Sequence, residues 1–196
     1  MKRIALAGGI GAGKSTVVDH LRARGFVAID ADEVYADLTR PSEPLLSVLV
    51  DAFGSAVLDE HGALDRAFLA AVVFHDRSAL RRLNAIAHPR VTAEIRRRMD
   101  EVDASAVFTA IPLLGEHHRA ALALDEVWSI QVEPHVAIDR LVAQRSMSEE
   151  EARRRIDAQM DNDERAALAD QVVWNNQDRE SLRGRIDEML SERGLA

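Results

Sequence analysis

The sequence contains no cysteine. Disulfides, thiolate metal sites and cysteine nucleophiles are therefore excluded, and cysteine usage says nothing about redox compartment. Aromatic residues make up only 4% of the 196 residues, which leaves few platforms on which unstacked bases could lie. Positive charge is in the minority, with 25 Lys and Arg against 33 Asp and Glu for a formal charge of −8. That balance argues against a general nucleic-acid binder, while leaving room for a small anion at a local basic site. No apolar run approaches the roughly 18 residues that span a bilayer. The opening Met1-Lys2-Arg3 with its apolar sequel mimics a secretory leader, but Gly8, Gly9, Gly11 and Gly13 with Lys14 interrupt it too early. A soluble cytoplasmic protein is the expectation. At roughly 150 residues per domain, the length suits one globular domain able to bury a core without staples.

What is present is a strand–helix alternation. The apolar run Ile4 to Ala7, closed by glycines, reads as a buried strand. Val17, Val18 and Leu21 then recur at helical spacing up to Gly25, a suitable residue just past a helix end. Phe26 to Ile29 reads as a second strand, ending at Asp30-Ala31-Asp32. This is a βαβ unit, so its two strands are expected to be parallel. Residues 33–103 read mostly as helix, broken at Pro41, Pro44, Gly54, Gly62 and Pro89. Further strands are expected at Ala106 to Ile111, Val127 to Val132 and Gln171 to Trp174, and helices at Val136 to Gln144, from Ser148, and at Asp178 to Arg193. The fold class is α/β, a three-layer domain with a mostly parallel central sheet.

One motif carries chemistry. Gly8-Gly9-Ile10-Gly11-Ala12-Gly13-Lys14-Ser15 fits G-x-x-x-x-G-K-[ST] at every fixed position, between a strand and a helix. The glycines let backbone N–H groups turn inward around phosphate oxygens, and the helix N-terminus adds partial positive charge. Lys14, one of only two lysines with Lys2, can reach the β- and γ-phosphates, and the Ser15 hydroxyl can ligate Mg²⁺. The motif points to a nucleoside triphosphate and is silent on its fate.

Asp32 lies just past the second strand, where ligands of parallel sheets bind. Its carboxylate suits a base at a hydroxyl or a metal ligand, and equally a helix N-cap; Asp30 is its competitor. Other features read as ordinary structure. Asp51 to Gly54 and Asp59 to Gly62 fit D-x-x-G but follow no strand. Glu116-His117-His118 reads as an exposed polar turn, and Arg96-Arg97-Arg98 as a solvated helix face. The third strand, with Phe108-Thr109-Ala110-Ile111, lacks the aspartate of motor ATPases, and no N-K-x-D guanine-reading motif occurs.

Further landmarks follow the P-loop in order: Ile29-Asp30-Ala31-Asp32, Ala87-His88-Pro89, Ile111-Pro112-Leu113-Leu114, Gln144-Arg145 and Ser148-Glu149-Glu150. Ala158-Gln159, Glu164-Arg165, Ala169-Asp170 and Val173 with Asn175 complete the set. On these residues, from 4 to about 176, the chain resembles the dephospho-CoA kinase family. The resemblance implies ATP-dependent phosphorylation of the ribose 3′-hydroxyl of dephospho-CoA, the last step of coenzyme A synthesis, with Mg²⁺. It implies a P-loop NTPase fold in a single domain, with a core at about 1–32, 104–135 and 166–196, a helical acceptor region at about 33–103 and a lid at about 139–165. Lys14, Asp32 and Arg145 are the implied catalytic set, Asp32 as base and Arg145 as a phosphate-contacting lid residue. Gly9, Gly11, Ala12, Gly13, Lys14, Ser15 and Thr16 are implied to hold the nucleotide, with Asn175 near its adenine end and Ser15 on the metal. Partners are then small molecules, without nucleic acid or membrane, and oligomeric state is left open. Ala12, Gly115, Ser146 and Trp174 depart from the family's commoner residues without removing a needed group. The alternatives are another P-loop nucleoside or nucleotide kinase, or a non-transferase ATP-binding switch.

Overall fold

A computed structural model describes residues 1–112 and 114–195. Leu113, inside the Ile111-Pro112-Leu113-Leu114 landmark, lies outside the described residues. The elements run β1 (Lys2–Gly8), α1 (Lys14–Ala23), β2 (Val27–Asp30), α2 (Ala31–Leu38), α3 (Pro44–Phe53), α4 (Arg66–His75) and α5 (Arg77–Asp100). They continue with β3 (Ala106–Ala110), α6 (Glu116–Leu122), β4 (Glu126–Gln131), α7 (Pro134–Arg145), α8 (Glu149–Asp157), α9 (Asn162–Ala167), β5 (Gln171–Trp174) and α10 (Arg179–Glu192). The chain divides into two compact units: residues 1–30 with those from 101 onward, and residues 31–100.

The first unit holds a five-stranded parallel sheet in the order β2-β3-β1-β4-β5. β1 is central, pairing Ile4 with Phe108 on one side and Leu6 with Trp128 on the other. Central parallel strands are covered on both faces, which is why Ile4 to Ala7 and Ala106 to Ala110 are apolar almost without alternation. Phe26, Phe108 and Trp128 stack edge to face in a chain, at 5.4 and 5.5 Å between ring centroids. Leu21 of α1 and Leu182, Ile186, Met189 and Leu190 of α10 bury against the same core. Strand order reverses at β1, so the crevice that open α/β sheets use for ligands falls at its C-terminal end.

A charged cluster fastens the opposite end of this sheet. Lys2 Nζ (3.1 Å), Trp128 Nε1 (3.0 Å) and Arg193 Nε (2.7 Å) all donate to Glu126. Burial alone would raise the Glu126 pKa; the three donors outweigh it and hold the carboxyl at about 2.

In the second unit, α2 to α5 enclose Leu45, Leu46, Leu49, Val57, Leu64 and Leu69. Two sequence expectations fail on physical grounds. Pro89 does not break the helix: α5 runs through it, with Ala79, Ala87, Ile95 and Met99 buried on both sides. Tertiary packing overrides the proline penalty, and Arg90 Nη1 donates to the Ile86 carbonyl (2.8 Å) beside it. The Glu116-His117-His118 segment is not an exposed turn but the start of α6, and His118 is buried. Its Nδ1 accepts the Gly115 N–H (3.0 Å), closing the helix N-terminus that a glycine side chain cannot cap.

Candidate active site

β1 ends at Gly8 and α1 begins at Lys14, so residues 9–13 form the P-loop at the switch point of the sheet. Gly13 caps α1 with φ 94°, and Gly11 has φ 76°; both angles lie in the left-handed region that strains any Cβ. The Ala12 N–H donates to the Gly9 carbonyl (3.2 Å), tightening the turn. Lys14, Ser15 and Thr16 form the first turn of α1, with Ser15 exposed and the other two half-buried. No acidic side chain stands in that turn, so the positive helix end is not offset locally.

Other elements wall the loop. Asn175, buried just after β5, donates from Nδ2 to the Ala12 carbonyl (2.8 Å), and its own N–H donates to the Gln131 carbonyl (2.7 Å). A Cβ on Gly13 would run into the same Nδ2. Arg140 of α7 donates to the Gly11 carbonyl (3.3 Å), to Asn175 Oδ1 (3.4 Å) and to the Gln177 carbonyl (2.8 Å). Burial, and then the Arg179 charge, lowers its pKa from the ordinary guanidinium value. From between α8 and α9, Gln159 Oε1 accepts the Ile10 N–H (2.9 Å). Arg165 of α9 lies against Gly9.

The structure thus brings Gly9, Gly11, Ala12, Gly13, Lys14, Ser15, Thr16 and Asn175 together in one unit. Asp32 belongs to the other unit, where it is the second residue of α2 rather than the residue capping it. Arg145 is the exposed last residue of α7, followed by Ser146 at φ 52°. Among the described residues Arg145 forms no ion pair with Glu149, Glu150 or Glu151, and Glu149 pairs instead with Arg153 (2.6 Å) and Glu151 with Arg155 (2.7 Å). Ser148 does start α8, its Oγ accepting the Glu151 N–H (3.1 Å). Gln159 and Arg165 were legible only as family landmarks. Nothing local marks them as P-loop neighbours, because the fold closes a sequence gap of 149 residues between Ile10 and Gln159.

Comparison with known proteins agrees with this architecture. The family model described as dephospho-CoA kinase matches residues 2–180. A dephospho-CoA kinase from Corynebacterium efficiens is 41% identical over 195 residues, covering 98% of this chain and 97% of that one. A solved Thermus thermophilus structure superposes with a TM-score of 0.82 at 32% identity, covering 97% of each chain. The solved dephospho-CoA kinase of Campylobacter jejuni gives a TM-score of 0.65 at 26% identity, covering 97% of this chain and 96% of that one. A phosphate cradle on the central strand of a 2-3-1-4-5 sheet, matched along almost the whole sequence, leaves one family assignment: the chain belongs to the dephospho-CoA kinase family.

Proposed function

We propose that the chain binds ATP on the P-loop and passes its γ-phosphoryl to the ribose 3′-hydroxyl of dephospho-CoA. The observation that carries this reading is the complete G-x-x-x-x-G-K-S loop, shaped by Gly11 and Gly13, in a chain whose family match spans residues 2–180. In the transfer, the acceptor oxygen bonds the γ-phosphorus while the oxygen bridging to the β-phosphate leaves with ADP. The hydroxyl proton passes to Asp32. Lys14 and the N–H groups of residues 12–16 hold the phosphates, and Arg145 adds charge from the lid. Asn175 and Arg140 hold the loop carbonyls so that its N–H groups face the ligand. Mg²⁺ would supply charge neutralisation across the phosphates. Among the described residues no three His, Asp or Glu side chains converge, and the Ser15 hydroxyl would be one ligand of the metal. That donor set suits Mg²⁺, which takes most of its oxygens from phosphates and water. The reading includes a cytoplasmic location; among the described residues, no helix is long and apolar enough to cross a membrane.

ADP release measured over dephospho-CoA, AMP, CMP, dTMP and nucleosides tests the assignment. ADP is expected only with dephospho-CoA. ADP formed best with another acceptor would make the chain a different P-loop kinase, and ADP formed equally without an acceptor would make it a switch. Lys14→Ala is the matched control: transfer is lost while the melting temperature stays, because the lysine contacts phosphate rather than core.

A further inference from the structure

Among the described residues, Arg165 forms no salt bridge within 4.0 Å, and the acids that act on it are engaged elsewhere. Its Nε is buried and has no hydrogen-bond partner. The two carboxylates that act on it, Asp161 and Glu164, are engaged in the capping box of α9. Asp161 Oδ1 accepts the Glu164 N–H (2.8 Å), and Glu164 Oε2 accepts the Asp161 N–H (2.9 Å). Burial accordingly lowers the guanidinium pKa from its ordinary value, with those two acids only partly opposing. A partly desolvated charge that makes no direct ion pair is costly until an anion meets it.

Its position says which anion. A Cβ on Gly9 would lie 2.9 Å from Arg165 Nη2 and 3.2 Å from Cζ, so the guanidinium rests directly on the P-loop backbone. Gln159, bonded to the Ile10 N–H, fastens the same α8–α9 segment to the next loop residue. Arg165, Gln159 and Met160 line two cavities. One, of about 450 Å³, is lined by Gly9, Ile10 and Ala12 of the P-loop and by Ala137 of α7. The other, of about 170 Å³, is lined by Ala7 and Gly8 at the end of β1 and by Pro112 beyond β3. The guanidinium therefore lines the same cavity as the P-loop.

We infer that Arg165 contacts the terminal phosphate of the bound nucleotide, as a phosphate ligand additional to Lys14. This rests on the kinase reading above. A planar guanidinium suits the role because its parallel N–H donors can meet two oxygens of one phosphate.

The test uses the full chain and titration calorimetry with Mg²⁺ and either ADP or the non-hydrolysable ATP analogue AMP-PNP. R165A is expected to weaken AMP-PNP binding about tenfold or more, the loss of a hydrogen bond to a charged group, and ADP binding by less than about threefold. R165K recovers part of the loss. Wild-type affinity for both ligands overturns the inference. An equal loss of both also overturns it, since Arg165 would then only shape the loop. Should R165A not fold by circular dichroism, R165Q and R165K carry the same comparison of the two ligands. Failure of the wild type to phosphorylate dephospho-CoA would sink the kinase assignment instead, and the ratio of the two affinities would still report on the terminal phosphate.

Discussion

Replacing Asn175 with alanine removes the side chain that, among the described residues, donates to the Ala12 carbonyl from outside the loop, at 2.8 Å in a buried position. The carbonyl is left without that donor where water does not reach, a change worth about 1–3 kcal/mol. Arg140 loses a contact as well, but a long one of 3.4 Å, and keeps the Gln177 carbonyl at 2.8 Å, so this adds little. For a chain of this length each kcal/mol lowers the midpoint by about 2–4 °C, which gives a fall of about 2–12 °C for N175A. Because the loosened carbonyl belongs to the P-loop, KM for ATP is expected to rise several-fold, with a smaller effect on kcat. Thermal unfolding by circular dichroism, with steady-state kinetics on the same preparation, reads both. N175D sharpens the argument. It sets an acceptor against an acceptor in the same place, and it is expected to melt below N175A. If N175A melts within about 1 °C of the wild type, the brace is not structural, and a raised KM alone would return Asn175 to a direct nucleotide contact.

Three further outcomes are expected. D32N lowers turnover about 10²-fold or more, as loss of a general base does, with ATP affinity and melting temperature retained; normal turnover would transfer the role to Asp30. R145A lowers turnover about 10²-fold without changing the melting temperature. A fall below about threefold, under 1 kcal/mol in barrier, would leave Arg145 as surface charge only. Glu94 is held at about 2, below the ordinary 4.5, by hydrogen bonds from Arg97 and, against the opposing effect of burial, from Arg98. A depressed folded-state pKa contributes stability that is full above pH 4.5 and is lost as pH falls toward 2. The melting-temperature gap between wild type and E94Q is therefore expected to be larger at pH 7 than at pH 3, and a gap that does not change would contradict the assignment.

Legibility in the sequence followed distance along the chain. The P-loop was readable because its determinants are contiguous: glycines that take φ 76° and 94°, and a lysine that opens the helix. The strands were readable because a two-sided sheet forces unbroken apolar runs, and the family reading agrees with the match over residues 2–180. Pro89 misled because intrinsic helix cost is local, whereas burial of Ala87 and Ile95 is not. His118 misled because its partner is the backbone of its own helix start, a use that the residue type does not announce. Gln159 and Arg165 were legible as landmarks but not as P-loop neighbours, for a third reason. Their surroundings are assembled by the return of α8 and α9 to the end of β1, and no spacing rule encodes that return.

The walls around the P-loop have a consequence for transplanting it. Each glycine is pressed by a different part of the fold: Gly8 by the Ile130 carbonyl of β4, Gly9 by Arg165 of α9, Gly11 by Ala137 of α7, and Gly13 by the Asn175 amide after β5. The octapeptide grafted onto another scaffold would carry its own bend but not these four neighbours, and a glycine freed of its wall would lose part of the reason to be glycine. Substitution at these positions is then conditional. Coupling measured by double-mutant cycles should be large between Gly9 and Arg165 and absent between Gly9 and Ala137, so that tolerance to a methyl group at Gly8 or Gly9, where φ does not forbid it, reports which neighbouring element has moved away.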